Sequence, residues 1–132
     1  MRTRTKARQR AVEALFEAEQ RNVSIDDIFE RNRAVNEYAV EIAKLAFQNL
    51  TTLDELINTY SNEWPVDRMP AVDRAILRIA ITELLFKKDI DTNVIIAEAL
   101  EVARTLSTDD SVKFINGLLA NIGNVRNSLS SW

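Results

Sequence analysis

The sequence predicts an all-α protein of two small helical bundles packed together. Three observations carry that expectation. With two glycines and two prolines in 132 residues, and with Ala, Leu, Ile and Glu abundant, the composition favours helix over strand throughout. Apolar residues recur at three-and-four spacing in one segment after another. Both prolines fall in Glu63 to Ala71 (EWPVDRMPA), where each removes a backbone donor and disfavours helix at the residue before it. This elbow divides the chain into an N-terminal half, residues 1–64, and a C-terminal half, residues 71–132.

The segment from Val72 to Phe86 is expected at the centre. Val72, Ile76, Ile79, Ala80 and Leu84 form one helical face, and Ala75, Leu77, Ile81, Leu85 and Phe86 fill much of the opposite one. A helix apolar nearly all round belongs inside a protein. Asp73, Arg74, Arg78 and Glu83 are left as a narrow polar strip for water or a partner.

From the start of the chain, Lys6 to Gln20 places Ala7, Ala11, Ala14, Leu15 and Ala18 on one face of an amphipathic helix. A short helix capped by Ser24 is expected within Asn22 to Arg33, with Ile25, Ile28 and Phe29 as its apolar face. A helix over Asn36 to Leu50 is followed by a fresh start at Thr51 or Thr52, where Glu55 completes a capping box. Trp64 completes the stripe of that second segment and is expected in the core. Beyond the central helix, Asp91 or Thr92 caps a helix over Val94 to Leu106 whose exposed side carries Glu98, Glu101 and Arg104. Ser107 to Asp110 starts the last helix, whose stripe is Val112, Ile115, Leu118, Leu119 and Ile122. Gly123 then opens a polar tail.

Charge is unevenly distributed. The formal net charge is −3, yet residues 1–10 hold five cations and no acid, which leaves 12 basic and 20 acidic groups elsewhere, a balance of −8. The cations sit at the start of the first helix, against the preference of the helix dipole. Two readings stay open for this arm: a solvated terminus, or a segment that binds phosphate. Phe114, beside Lys113 and two acids, either stacks on a base or covers the edge of the core.

Catalytic and metal chemistry find little support. The chain has neither His nor Cys, so the usual general bases, thiolate ligands and activated nucleophiles are missing. Glu98 and Glu101 have no histidine to join them in a metal site, and neither glycine belongs to a phosphate-binding loop. No cofactor is expected. No apolar run is long enough to cross a bilayer and no signal segment opens the chain, so a cytoplasmic protein without a membrane partner is expected.

Four strings taken together carry a resemblance: ARQRAVEALFEAE near the start, WPVDRMPAVDRAILRIAITEL at the centre, VIIAEALEVAR, and LSTDDSVKFINGLL near the end. In order and spacing they resemble the NusB transcription-antitermination family, over residues 7–122. The resemblance implies about seven helices, three in the first half and four in the second. It also implies a non-enzymatic factor that pairs with the ribosomal protein NusE, binds the boxA element of nascent rRNA, and acts on the RNA polymerase elongation complex with other Nus factors. Matching positions imply RNA contacts at Arg4, Lys6, Arg8, Arg10, Arg68, Asp110, Lys113 and Phe114, and a partner face at Phe16 and Asp73. Phe16 departs from the Tyr of many relatives and so lacks its hydroxyl. Some relatives are homodimers, and the sequence leaves a homodimer open here. A similar module precedes some rRNA cytosine methyltransferases, but no nucleotide-binding domain follows in this chain.

Overall fold

A computed structural model describes residues 3–31, 36–62 and 64–129. Seven α-helices, and among the described residues no strand, make up the fold: α1 (Thr3–Arg21), α2 (Ile25–Glu30), α3 (Glu37–Gln48), α4 (Leu50–Tyr60), α5 (Ala71–Phe86), α6 (Thr92–Leu106) and α7 (Asp109–Asn124). Short 3-10 turns at Val66–Arg68 and Arg126–Ser128 follow α4 and α7.

Local chemistry sets most of the boundaries. Asn22 ends α1 in the left-handed conformation with φ 54°. Val23 N–H then reaches back to Ala18 O at 3.1 Å and Asn22 N–H to Glu19 O at 3.2 Å, a Schellman closure in which Asn replaces the usual glycine. Ser24 Oγ accepts from Asp27 N–H at 3.1 Å and starts α2, as its sequence predicts. Asn36 starts α3 by accepting from the N–H groups of Tyr38 and Ala39. The next boundary differs from expectation. α4 begins at Leu50 directly after Asn49, without a side-chain cap, so Thr51 and Thr52 lie inside the helix and no capping box forms. Asn49 Nδ2 instead donates to Leu45 O at 2.8 Å and covers the end of α3. Thr108 caps α7 by accepting from Ser111 N–H at 3.1 Å.

α5 is the central helix. Every residue from Ala75 to Leu85 is buried, and α1, α3, α4, α6 and α7 all pack on it. The polar strip of α5 does not face water or a partner: Asp73, Arg78, Thr82 and Glu83 are buried too. A charge carried into such a core must be met by an opposite charge or by hydrogen bonds, and neighbouring helices supply both. Arg74 and Arg78 converge on Glu19 of α1, and Arg78 forms a two-bonded pair with Asp54 of α4 at 2.9 and 2.8 Å. The bond from Arg74, the largest influence, and that from Arg78 hold the Glu19 carboxyl pKa below its ordinary value, against the opposing effect of burial.

Two further expectations are corrected. Glu98 is buried, not on the exposed side of α6, and it accepts a hydrogen bond from Thr5 Oγ1 of α1. Residues 124–129 are no loose tail, because α7 runs on to Asn124 and Arg126 is buried beneath the end of α5. Its guanidinium donates to Leu84 O at 2.9 Å in the last turn of α5, and to Lys87 O at 2.9 Å and Ile90 O at 2.8 Å in the connection to α6. Gly123 permits the close approach of α7 to α6, since a Cβ there would come within 2.9 Å of the Thr92 methyl.

Candidate nucleic-acid interface

Arg4, Lys6, Arg8 and Arg10 all lie on α1, but they do not share a face. Arg4 and Lys6 are exposed. Arg10 is half-buried, its guanidinium 5.7 Å from the centre of the Phe29 ring. Arg8 is turned inward and only 4 % exposed. Its Nε donates to both carboxylate oxygens of Glu83, at 2.8 and 3.0 Å, its Nη2 lies 2.8 Å from the same carboxylate, and Nη1 reaches Arg4 O at 3.5 Å. Burial works against charge on Arg8, yet the bonds and charge of Glu83 outweigh it and raise its pKa. Tyr38 completes the cluster by donating its hydroxyl to Glu83 at 2.5 Å, with its own pKa pushed up by burial and by that carboxylate. A guanidinium engaged in this way is turned toward Glu83 and away from solvent. Of the residues expected to contact RNA, Arg8 is thus the one whose side chain lies inside the fold, paired with Glu83.

Beside Arg4 and Arg8 opens a cleft of about 570 Å³ that also meets Asn36, Tyr38, Asp89 and Asp91. Its lining mixes both signs of charge. Arg2 lies outside the described residues.

A second cluster stands where the α4–α5 linker meets the start of α7. Asp110 and Lys113 are exposed there, and Phe114 is half-buried. Its ring centre lies 5.2 Å from that of Trp64, with the planes inclined at 54°. Trp64 is not in the core as expected but 42 % exposed. The apolar stripe of α4 ends at Tyr60, after which Ser61 leaves helical geometry and the chain turns outward. Ser61 Oγ donates to Trp64 O at 2.6 Å and accepts from Trp64 N–H at 3.2 Å, and Asn58 Oδ1 accepts from Val66 N–H at 2.8 Å. Trp64 is thus held outward on a short braced turn. Arg68, in the 3-10 turn that follows, is exposed.

The two clusters flank opposite ends of α5. Arg8 is bonded to Glu83 near the C-terminus of that helix, whereas Ser107 and Ser111, at the start of α7, are bonded to Asp73 near its N-terminus. Ten residues of helix separate the two attachment points by roughly 15 Å. The arm and Phe114 do not meet in one pocket.

The positions expected on a partner face differ from each other. Phe16 is half-buried against the core. Asp73 is fully buried, accepting from the hydroxyls of Ser107 at 2.7 Å and Ser111 at 2.6 Å. It ties α7 to α5 from inside the fold.

Sequence reasoning missed Trp64, and it missed that the acids and bases of α5 face inward. The signal for the second lay in the pattern itself. Where a helix is apolar on both faces, its charges have nowhere to go but toward neighbouring helices. Among the described residues no group of three or more His, Cys, Asp or Glu side chains could hold a metal ion, and no helix is long and apolar enough to cross a membrane.

Comparison with known proteins agrees with this architecture. The profile of the NusB family matches residues 5–124. The chain is 47 % identical to a transcription antitermination protein NusB of Kineococcus radiotolerans, over 99 % of this chain and 100 % of that protein. It is also 47 % identical to the NusB of Thermobifida fusca, over 97 % and 94 % of the two chains. Among solved structures, T. maritima NusB superposes with a TM-score of 0.80 at 35 % identity, covering 98 % of this chain and 100 % of that one. A NusB chain from a complex of NusB and NusE with dsRNA has the same fold, with a TM-score of 0.81 at 24 % identity, over 95 % and 98 %. Profile, sequence and fold agree along nearly the whole length, and the chain belongs to the NusB family.

Proposed function

We propose that this protein is a transcription antitermination factor that binds the boxA element of nascent rRNA together with NusE and promotes processive transcription by RNA polymerase. It does so by binding, without catalysis, in the cytoplasm. The observation that carries the reading is near-full-length identity of 47 % to proteins named for transcription antitermination. The surface chemistry is compatible with it. Exposed cations at Arg4, Lys6, Arg68 and Lys113 supply sequence-tolerant attraction to phosphate, and Phe114 supplies a ring on which an unpaired base can stack. Arg10 adds a half-buried cation, Asp110 an acceptor for a base amino group, and Arg8 supports the arm from inside. Phe16 belongs to the face that meets NusE.

The test is a titration of fluorescently labelled boxA RNA with the protein, alone and with NusE, followed by anisotropy at several salt concentrations. Binding that tightens in the presence of NusE and weakens with salt is expected. Replacing Arg4 and Lys6 together with Ala should flatten the salt dependence by about 0.7 log units for every phosphate that is no longer neutralised. An absence of binding to boxA RNA under both conditions overturns the reading.

A further inference from the structure

The start of α1 is poorly supported by its own sequence. Its first two turns hold Arg4, Lys6, Arg8 and Arg10 and no acid, a charge order that opposes the helix dipole. Thr5 adds a β-branched side chain of low helix propensity. On local grounds this end should fray, yet the chain is helical from Thr3 onward. What holds it comes from the other helices.

Two buried contacts do so. Thr5 and Arg8, three residues apart and so on one face of α1, are both turned inward. Arg8 is bonded to Glu83 of α5, and Thr5 donates its hydroxyl to Oε2 of Glu98 on α6. Glu98 is itself buried, and among the described residues no second donor meets its carboxyl group. Burying a carboxyl group with a single hydroxyl for company costs more than burying an apolar side chain of similar size. Neither the core nor the functional reading makes use of Glu98 in any other way. What this carboxyl group does accomplish is to tie the first turn of α1 to the C-terminal half.

Resting on the RNA-binding reading above, we propose that Thr5 and Glu98 are positioning residues of the phosphate-binding arm. With residue 5 pointing inward, residues 4 and 6 are rotated by about 100° to either side of it. Arg4 and Lys6 are accordingly exposed on both flanks of the anchored position. The Thr5 hydroxyl therefore fixes where these two cations stand before RNA arrives, and a helix turn that is already ordered need not be ordered on binding. Thr5 and Glu98 are enclosed by the fold and act on RNA only through Arg4 and Lys6.

Thr5→Val replaces the hydroxyl by a methyl group of nearly the same shape and separates positioning from plain stability. Hydrogen exchange should quicken by about tenfold or more at the amides of Ala7 to Gln9, which bond back to the helix start. Anisotropy with labelled boxA RNA, well below the melting temperature, should show affinity lowered roughly fivefold, because the binding-competent arm is only partly populated. The salt slope should stay at the wild-type value, since the same phosphates are neutralised once the arm is bound, in contrast to the flattened slope of the Arg4 and Lys6 double variant. Thr5→Ser, which keeps the hydroxyl, should recover both affinity and protection, and Glu98→Met should reproduce Thr5→Val. If Glu98→Met does not fold, the two Thr5 variants decide by themselves. Wild-type affinity in Thr5→Val overturns the positioning role and leaves the RNA-binding reading standing; so does a flattened slope, or a failure of Thr5→Ser to recover binding. A wild-type protein that does not bind boxA RNA at all brings down both.

Discussion

Arg8 and Glu83 join α1 to α5 with almost no exposure to water, 4 % and 1 %. Removing one partner of such a pair leaves a buried charge uncompensated, which costs about 3–5 kcal/mol. Arg8→Ala should show a loss of that size in urea unfolding, whereas Arg8→Met combined with Glu83→Leu should recover most of it. Glu19 gives the pH dependence. Its folded pKa is depressed below the ordinary 4.5 by Arg74 and Arg78, so its contribution is present above that value and is lost as pH falls through the folded pKa. Stability measured below about pH 4.5 should drop less steeply in Glu19→Gln than in the wild type. The inward turn of Arg8 was legible in principle. At three, four and seven residues further along α1 stand Ala11, Val12 and Leu15, all buried, which places Arg8 on the apolar face rather than with Arg4 and Lys6. What could not be read was its partner, because Glu83 lies 75 residues away and only the packing of α1 on α5 brings the two together.

At the level of elements, starts were easier to read than joints. Ser24 and Thr108 announce α2 and α7 because a hydroxyl before a run of helix formers satisfies local N–H groups, a chemistry contained within four residues. The α3–α4 joint at Asn49 carries no such signal, since the start of α4 is held by burial of Leu53 and Ile57 rather than by a side-chain cap. The end of α5 is a non-local case. Arg126, from beyond α7, donates to Leu84 O in the last turn of α5 and to Lys87 O just after it. Arg126→Ala would leave several buried acceptors unmet and should cost about 3 kcal/mol. Hydrogen exchange should then quicken first at the α5 C-terminus and the α6 N-terminus. Ile76→Asp, which buries a lone carboxylate at a position 1 % exposed, should cost several kcal/mol and abolish folding.

For the whole molecule, the proline elbow marks a change in direction rather than a gap in packing. α1, from the first half, is bonded to α5 and α6 of the second through Arg8, Glu19 and Thr5. Urea unfolding should accordingly be a single transition, with Trp64 fluorescence and helical circular dichroism coinciding; Trp132 is replaced by Phe to leave one emitter. The candidate RNA surface was legible only in part. Exposed cations and Phe114 could be marked from the sequence, but the exposure of Trp64 depends on where α4 stops, which periodicity does not decide. The polar contacts along α5 have one more effect. Asp73, Arg74, Arg78 and Glu83 meet partners on α1, α3, α4 and α7, with Glu19 shared by the two arginines. A greasy rod could slide or rotate in its sheath at small cost, but slipping this one by a single turn would take Asp73 from its hydroxyls and Glu83 from Arg8, and would leave only one of the two arginines facing a carboxylate. The charges therefore act as the notches of a key, and an all-apolar α5 should give a protein that melts higher yet shows broadened, multiple NMR signals.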